Sequence, residues 1–381
     1  MGDISRILPS DEGLNHQIAQ TFASVVHPDL SWTEKVWTTM ARKDGALQVD
    51  FGLGKYLNRG VMDAFGGISR DREQWTVRAS RELASDVERS AVGPLRYEIV
   101  ESFKRVRVIL EETKIQPIAF DLTFECILPP LFEERHLQRD SSGFRVISDV
   151  VRYHQSGTVS GWVQLDGKRH AARPEEWFAF RDHSWGIRSN VGVEPTDIRS
   201  QPFYADQRFH MHWSPMVLYG PDGSLVEIHS YYLATSEEPF YSSAYVNTPN
   251  GAQEQIIRTE PQLKYDRATR MLTGGAIIFF TASGEKQTIS VTPISDTGFH
   301  LGTGLYLGFD GFFHGMWRGP LHIDGEYIAD CQQPDVLRRI HQVRDRPVRV
   351  SDGIRHGFGI VESTITGAWP RLGIGVENSY L

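Results

Sequence analysis

Between Arg181 and Arg188 the chain reads Arg-Asp-His-Ser-Trp-Gly-Ile-Arg, which brings a carboxylate, an imidazole, an indole and two guanidinium groups within one short stretch. On an extended strand side chains alternate, so Arg181, His183 and Trp185 share one face while Asp182 and Ser184 share the other. An imidazole changes charge near neutral pH, which makes His183 the candidate general acid/base. Asp182 would orient its ring if the backbone departs locally from regular alternation. Trp185 offers a flat face that can hold an apolar group or steady a developing positive charge. Arg181 and Arg188 would fix the geometry of the motif. The same residues also suit a buried polar cluster that closes a barrel, with Trp185 as core.

A second pair follows in Phe209-His210-Met211-His212-Trp213. On a strand His210 and His212 point the same way, roughly 7 Å apart, with Met211 and Trp213 opposite. Such a pair can relay a proton or bind a substrate oxygen. It can also present two zinc ligands, with His183 or His229 as a third, although neutral histidines lining a polar cavity are the commoner arrangement and no metal is expected. His183, Asp182, His210 and His212 are therefore the catalytic candidates. Trp185, Trp213, Tyr153, Gln155 and Tyr231 are the candidates for lining a substrate pocket.

Several site types are missing. There is no Walker loop and no Gly-x-Ser-x-Gly elbow, and Gly52-x-Gly54 and Gly302-x-Gly304 lack the third glycine of a dinucleotide fingerprint. No nucleotide, flavin or other cofactor is expected. With a net charge of −8, 40% hydrophobic and 23% charged residues, the chain suits burial of real cores and argues against nucleic acid as a partner. The first residues lack an apolar signal region, Arg6 breaks the myristoylation pattern, and no apolar run approaches the ~20 residues of a membrane helix. Cys126 and Cys331 stand far apart with no CxxC, which fits a reducing, cytoplasmic setting.

The elements that must carry these residues are mostly strands. Residues 10–27 have the form of a helix capped by Ser10 or Asp11, and Ser31 with Glu34 has the form of a capping box. Beyond that point Asp44-Gly45, Asp166-Gly167, Asp222-Gly223, Asp324-Gly325 and Ser283-Gly284 each separate strand-like runs, and 35 glycines punctuate the chain. Residues 74–83, 96–103, 105–112 and 117–128 read as strands. Only 333–343 reads as a later helix. The fold class is mainly β, with antiparallel barrels and a few short helices. Residues 157–167 align with 315–325, and His183-Ser184-Trp185-Gly186-Ile187 aligns with His356-Gly357-Phe358-Gly359-Ile360. This predicts a duplicated unit, domains at 1–195 and 196–381, a linker at 192–202, and Asp324-Gly325 as a hairpin tip equivalent to Asp166-Gly167.

The Arg181–Gly186 motif, preceded by Tyr153-x-Gln155-x-Gly157 and a Gly-x-x-x-Leu-Asp-Gly hairpin, resembles the carotenoid 1,2-hydratase/AttH-like superfamily. The resemblance implies two tandem lipocalin-like barrels and chemistry on apolar, alkene-bearing molecules without a cofactor. It also implies activity at His183 and Trp185. Where the carotenoid hydratases use a Tyr-x-Asp pair on the next strand, this chain has His210 and His212, which turns expectation from carotenoid hydration to imidazole chemistry. The expected function is acid/base hydration–dehydration, isomerisation or cyclisation of a small terpenoid, steroid-like or polyketide substrate, in a pocket within or between the barrels. The alternatives are a carrier that binds an apolar ligand without chemistry, and a zinc enzyme acting through His210 and His212. An oligomer is compatible with either.

Overall fold

The computed structural model describes residues 7–17, 19–83, 87–140, 142–199 and 208–377. Thirteen strands come first: β1 (Trp32–Arg42), β2 (Gln48–Tyr56), β3 (Val61–Arg70), β4 (Glu73–Glu82), β5 (Ala91–Val92), β6 (Leu95–Glu101), β7 (Arg105–Leu110), β8 (Ile118–Cys126), β9 (Leu131–Phe132), β10 (His136–Arg139), β11 (Val146–Leu165), β12 (Lys168–Ala172) and β13 (Trp177–Ile187). They pair in the order β4-β3-β2-β1-β13-β11-β8-β7-β6-β5, with β9, β10 and β12 also on β11. The sheet curls until its two ends share one core, in which Val77 and Ala79 of β4 join the cluster that holds Leu95, Val108 and Phe120.

The second sheet takes β14 (Phe209–Tyr219), β15 (Leu225–Ala234), β16 (Pro239–Asn247), β17 (Gln253–Tyr265), β18 (Leu272–Thr281), β19 (Lys286–Pro293) and β20 (Phe299–His300). After β21 (Leu321–Ile328) and the short helix α1 (Pro334–Ile340) it is completed by β22 (Arg344–Ser351) and β23 (His356–Thr366). The run β19-β18-β17-β16-β15-β14-β23-β22 closes through β19–β22 pairing into a ring. The fold is two β-barrel-like sheets in tandem. Among the described residues no helix is long and apolar enough to cross a membrane.

The strands that touch both sheets explain where the site lies. β13 and β14 are buried along nearly their whole length, the pattern of strands covered on both faces. One face of each looks into its own barrel. The other faces meet around Trp37, Phe178, Phe180, Phe209, Met211 and Trp213. β13 is therefore a wall with a barrel interior on one side and the junction of the two sheets on the other.

Three sequence expectations are corrected. Asp324 and Gly325 are not a hairpin tip: both lie inside β21, opposite Arg78 and Val77 of β4. β21 thus leaves the second half of the chain to extend the first sheet, so the aligned glycines do not mark a repeated unit. Asp166-Gly167 is a genuine tip, with φ of 52° and 73°, the two positive values a tight primed hairpin turn needs. The helix over 10–27 is absent from its described residues, which hold one 3₁₀ turn at Pro9–Glu12. Its apolar positions, such as Leu14 and Val26, are exposed and have no face to bury. Asp11 instead folds the segment as a loop by accepting from the Leu8 and Phe22 amides. Ser31 and Glu34 form no capping box, because Glu34 sits in β1. Of the expected 192–202 linker, residues 192–199 carry no strand and 200–202 lie outside the described residues.

Candidate active site on both faces of β13

On the barrel side, His183 Nε2 is 2.8 Å from Glu34 Oε1 and its Nδ1 is 3.1 Å from Tyr153 Oη. Register makes this inevitable. Tyr153 on β11 stands directly opposite His183, while Glu34 on β1 lies two residues from Val36, His183's partner on the other flank. The carboxylate serving His183 is therefore Glu34 and not Asp182. The hydrogen bond from His183 holds the Glu34 carboxyl below its usual range. Arg181 shares the face: it donates to Tyr97 Oη at 3.1 Å and to the Gln155 side chain, and Gln155 anchors to the Phe103 carbonyl at 2.8 Å. Burial pushes the Tyr97 phenol up to about 12. Glu34, Tyr97, Tyr153, Arg181 and His183 line a cavity of about 510 Å³ whose other walls include Val36, Leu53, Phe103 and Val106; Gln155 lies buried behind Arg181. A volume of roughly 300–1,000 Å³ is typical of small-molecule sites. Trp185 packs edge-on to His183 with centroids 5.5 Å apart.

On the junction side, Asp182 forms an ion pair with Arg152, whose Nε lies 2.8 Å from its Oδ2. It lines a cleft of about 40 Å³ with Lys35, Arg188, Glu362, Tyr306 and Trp213. Arg152, Arg188, Tyr306 and Glu362 also line an adjoining cleft of about 180 Å³ that reaches Tyr231. Burial, aided by Arg188, pushes the Lys35 ammonium down to about 7, and burial raises the Glu362 carboxyl to about 7. Deeper lies a charged knot. His154 Nδ1 meets Glu133 Oε1 at 2.9 Å, its Nε2 lies 3.3 Å from Glu227 Oε1, and Trp213 Nε1 donates to Glu133 at 3.0 Å. Burial alone would lower the His154 pKa, but Glu227 and Glu133 outweigh it and raise it to about 9.

His210 and His212 do point to one side, as alternation requires, but into the second barrel, where both are buried behind Tyr232 and Tyr265, which line a cavity of about 1000 Å³. His210 Nε2 bonds Tyr265 Oη at 3.1 Å, and His212 Nε2 bonds Ser230 Oγ at 3.0 Å while stacking on Tyr232. Burial, with Arg371 nearby, pushes His210 down to about 3; burial and His210 push His212 well below its usual value. The structure thus gathers Tyr153 and His183 around one cavity, with Gln155 buried behind Arg181 instead of lining it and Trp185 beside it. It puts Asp182, Trp213 and Tyr231 at the junction and leaves His210 and His212 apart from both. Sequence reading missed Glu34, Lys35, Glu133, Arg152, His154, Glu227 and Glu362. His154 is the unread residue inside Tyr153-x-Gln155, and strand alternation alone assigns it to the junction face.

Against this geometry the comparisons can be set. Among solved structures the chain is similar to an AttH-like protein of Nitrosomonas europaea, at 13% identity and a TM-score of 0.53, covering 89% of this chain and 94% of that one. It is also similar to kievitone hydratase of Nectria haematococca, at 10% identity and a TM-score of 0.44, covering 87% and 88%. The chain shares the fold of the AttH-like structure. The sequence matches a family of unknown function (DUF8625) over residues 9–375, and the chain belongs to that family. No curated protein matches it.

Proposed function

We propose that the protein is an enzyme that moves a proton to and from a small apolar, alkene-bearing substrate in the first barrel, in the manner of a hydratase, isomerase or cyclase. The observation that carries this is the Glu34–His183–Tyr153 chain opening on the 510 Å³ cavity. Glu34 accepts the Nε2 proton, which leaves Nδ1 free to take the Tyr153 hydroxyl proton. Tyr153 can then receive a proton from substrate carbon or oxygen, and the imidazolium that forms is held by Glu34 and returns a proton in the second half of the reaction. The His183 side chain is 23% exposed, so it is open to a ligand; a carrier has no need of that exposure. The chemistry uses the chain's own side chains.

Extraction and mass spectrometry of small molecules bound to the wild type and to His183→Ala test this reading. The expected result is substrate on the variant and product on the wild type, differing by one water for hydration or by nothing but structure for isomerisation and cyclisation. The same molecule on both proteins overturns it in favour of a carrier.

The other side of β13 supports a second reading. Lys35 and Glu362, both brought to about 7, line one cleft between the sheets, where perturbed acids and bases mark candidate catalytic groups. Loss of turnover in Glu362→Gln with full turnover in His183→Ala would transfer the chemistry there.

A further inference from the structure

We infer that Glu133, His154 and His229 form a binding site for a divalent transition metal that clamps the two sheets together, apart from the His183 cavity. The three side chains come from distant segments: Glu133 follows β9, His154 lies on β11 of the first sheet, and His229 lies on β15 of the second. One ligand atom from each falls within 4.8 Å of the others. Glu133 Oε1 is 2.9 Å from His154 Nδ1 and 3.7 Å from His229 Nε2. These bracket the ~3.3 Å edge expected between donors around a tetrahedral ion with bonds of about 2.0–2.1 Å.

The donor set of two imidazoles and one carboxylate is one that zinc takes, and its remaining position can go to water. Two independent features point to an ion and not to a closed hydrogen-bond network. His229 is fully buried, yet neither ring nitrogen has a hydrogen-bond partner among the described residues, and its Nε2 faces Glu133. His154 has a carboxylate behind it: Glu227 lies 3.3 Å from Nε2 and is itself held by Ser156 and by Asn247 Nδ2 at 3.1 Å. A carboxylate on the far nitrogen of a ligating histidine is the usual support of such sites.

Charge also fits. Glu133, Glu227 and Asp182 against Arg152 and a protonated His154 leave one uncompensated negative charge in this buried knot, and a divalent ion that takes the place of the His154 proton brings the sum to zero. Arg152 Nη1 approaches the Oε2 of Glu133 at 3.5 Å, and Trp213 donates to Oε1. A carboxylate oxygen has two lone pairs, so Oε1 can serve both Trp213 and the ion.

The test uses the full chain grown with zinc, zinc content by mass spectrometry, and cobalt(II) titration of chelator-treated protein followed by visible absorption. We expect about one zinc per chain in wild type and in His183→Ala, and none in His229→Ala. Glu227→Gln should bind roughly 10–100-fold more weakly, as loss of such a supporting carboxylate does. Chelation should lower the melting temperature of wild type and leave that of His229→Ala unmoved. Wild type that takes up no zinc, or zinc retained equally by His229→Ala, overturns the site. Should His229→Ala not fold, unchanged affinity in Glu227→Gln does the same. Because His183→Ala keeps the ion while losing turnover, failure of this site and failure of the proposed reaction are told apart.

Discussion

The two barrels each hold histidines on an inward strand, in opposite surroundings. In the first, His183 meets a carboxylate and a phenol at the wall of an open cavity. In the second, His210 and His212 meet a phenol, a hydroxyl and aromatic rings and are themselves buried, screened from the nearby cavity of about 1000 Å³ by Tyr232 and Tyr265. Burial keeps them neutral, and the Arg371 charge near His210 acts in the same direction. Both strands alternate as strands must, and alternation fixes only which side a residue faces. What lies on that side is set by the partners two strands bring. For that reason the proton transfer we propose belongs to the first barrel and not to the second.

The largest effect that could upset this assignment is kinetic. His183→Ala should cut turnover by about 10²–10⁴-fold, the usual contribution of a general acid/base, with an unchanged melting temperature. His210→Ala should do the reverse. It deletes a buried ring and removes one hydrogen-bond partner of Tyr265, costing roughly 2–4 kcal/mol of stability, while turnover per folded molecule holds. An exchange of these outcomes, measured by steady-state rate and calorimetry, would move the chemistry to the second barrel.

Next comes the backbone that aims the motif. Gly186 has φ of +132°, and a Cβ there would lie 2.0 Å from the Asp149 carbonyl. Gly186→Ala should destabilise the protein by about 1–3 kcal/mol and disturb the pairing of β13 with β11. A melting temperature within error of wild type would show that β13 can shift without loss.

Much of this was legible beforehand. The strand runs, four of the five turn signals and helix 334–340 follow from residue types and spacing alone. So does the shared face of Arg181 and His183. What could not be read depends on which strands become neighbours. Glu34 stands 149 residues from His183, and its local sequence reads as a cap. Asp324-Gly325 has the composition of a turn, but pairing with β4 holds it extended. His154, Glu133 and Glu362 look like ordinary surface polar residues until two sheets close over them.

The junction should also answer to pH differently from either barrel. Asp50 and Asp345 lie side by side there. Burial raises Asp50 to about 7 and, with Glu362 close by, lifts Asp345 well above the carboxylate range. Acids whose folded pKa exceeds the unfolded value stabilise the fold fully below the unfolded value, near ~4, and that contribution is lost as pH rises through the folded one. Stability should therefore decline between about pH 4 and pH 8 on account of these groups. Asp345→Asn keeps an acceptor for the Trp37 indole N–H, which donates to Oδ2 at 3.1 Å, and should flatten the decline. An identical pH profile in the variant would exclude the pair as its source.

Glu34→Gln should have a smaller effect on rate, about tenfold, because an amide can still hold the His183 ring but no longer favours its charged form. The lowered Glu34 carboxyl also fixes the direction of the pH dependence. Its contribution is present above the unfolded carboxylate value and is lost as pH falls through the folded one. The acid limb of the wild-type profile should therefore flatten in Glu34→Gln.

Trp185 tests the comparison most finely. Its indole packs edge-on to His183 but does not line the 510 Å³ cavity. It is half-buried and stands directly opposite Glu34 on β1. Trp185→Phe keeps an aromatic edge against the imidazole, so the loss should be no more than one edge-to-face contact, ~0.5–1 kcal/mol or roughly two- to fivefold in kcat/KM. The loss should appear in kcat if the ring only orients His183, and in KM if substrate extends past the cavity to touch it. A loss in KM beyond tenfold would mean that the working pocket of the first barrel is longer than its 510 Å³.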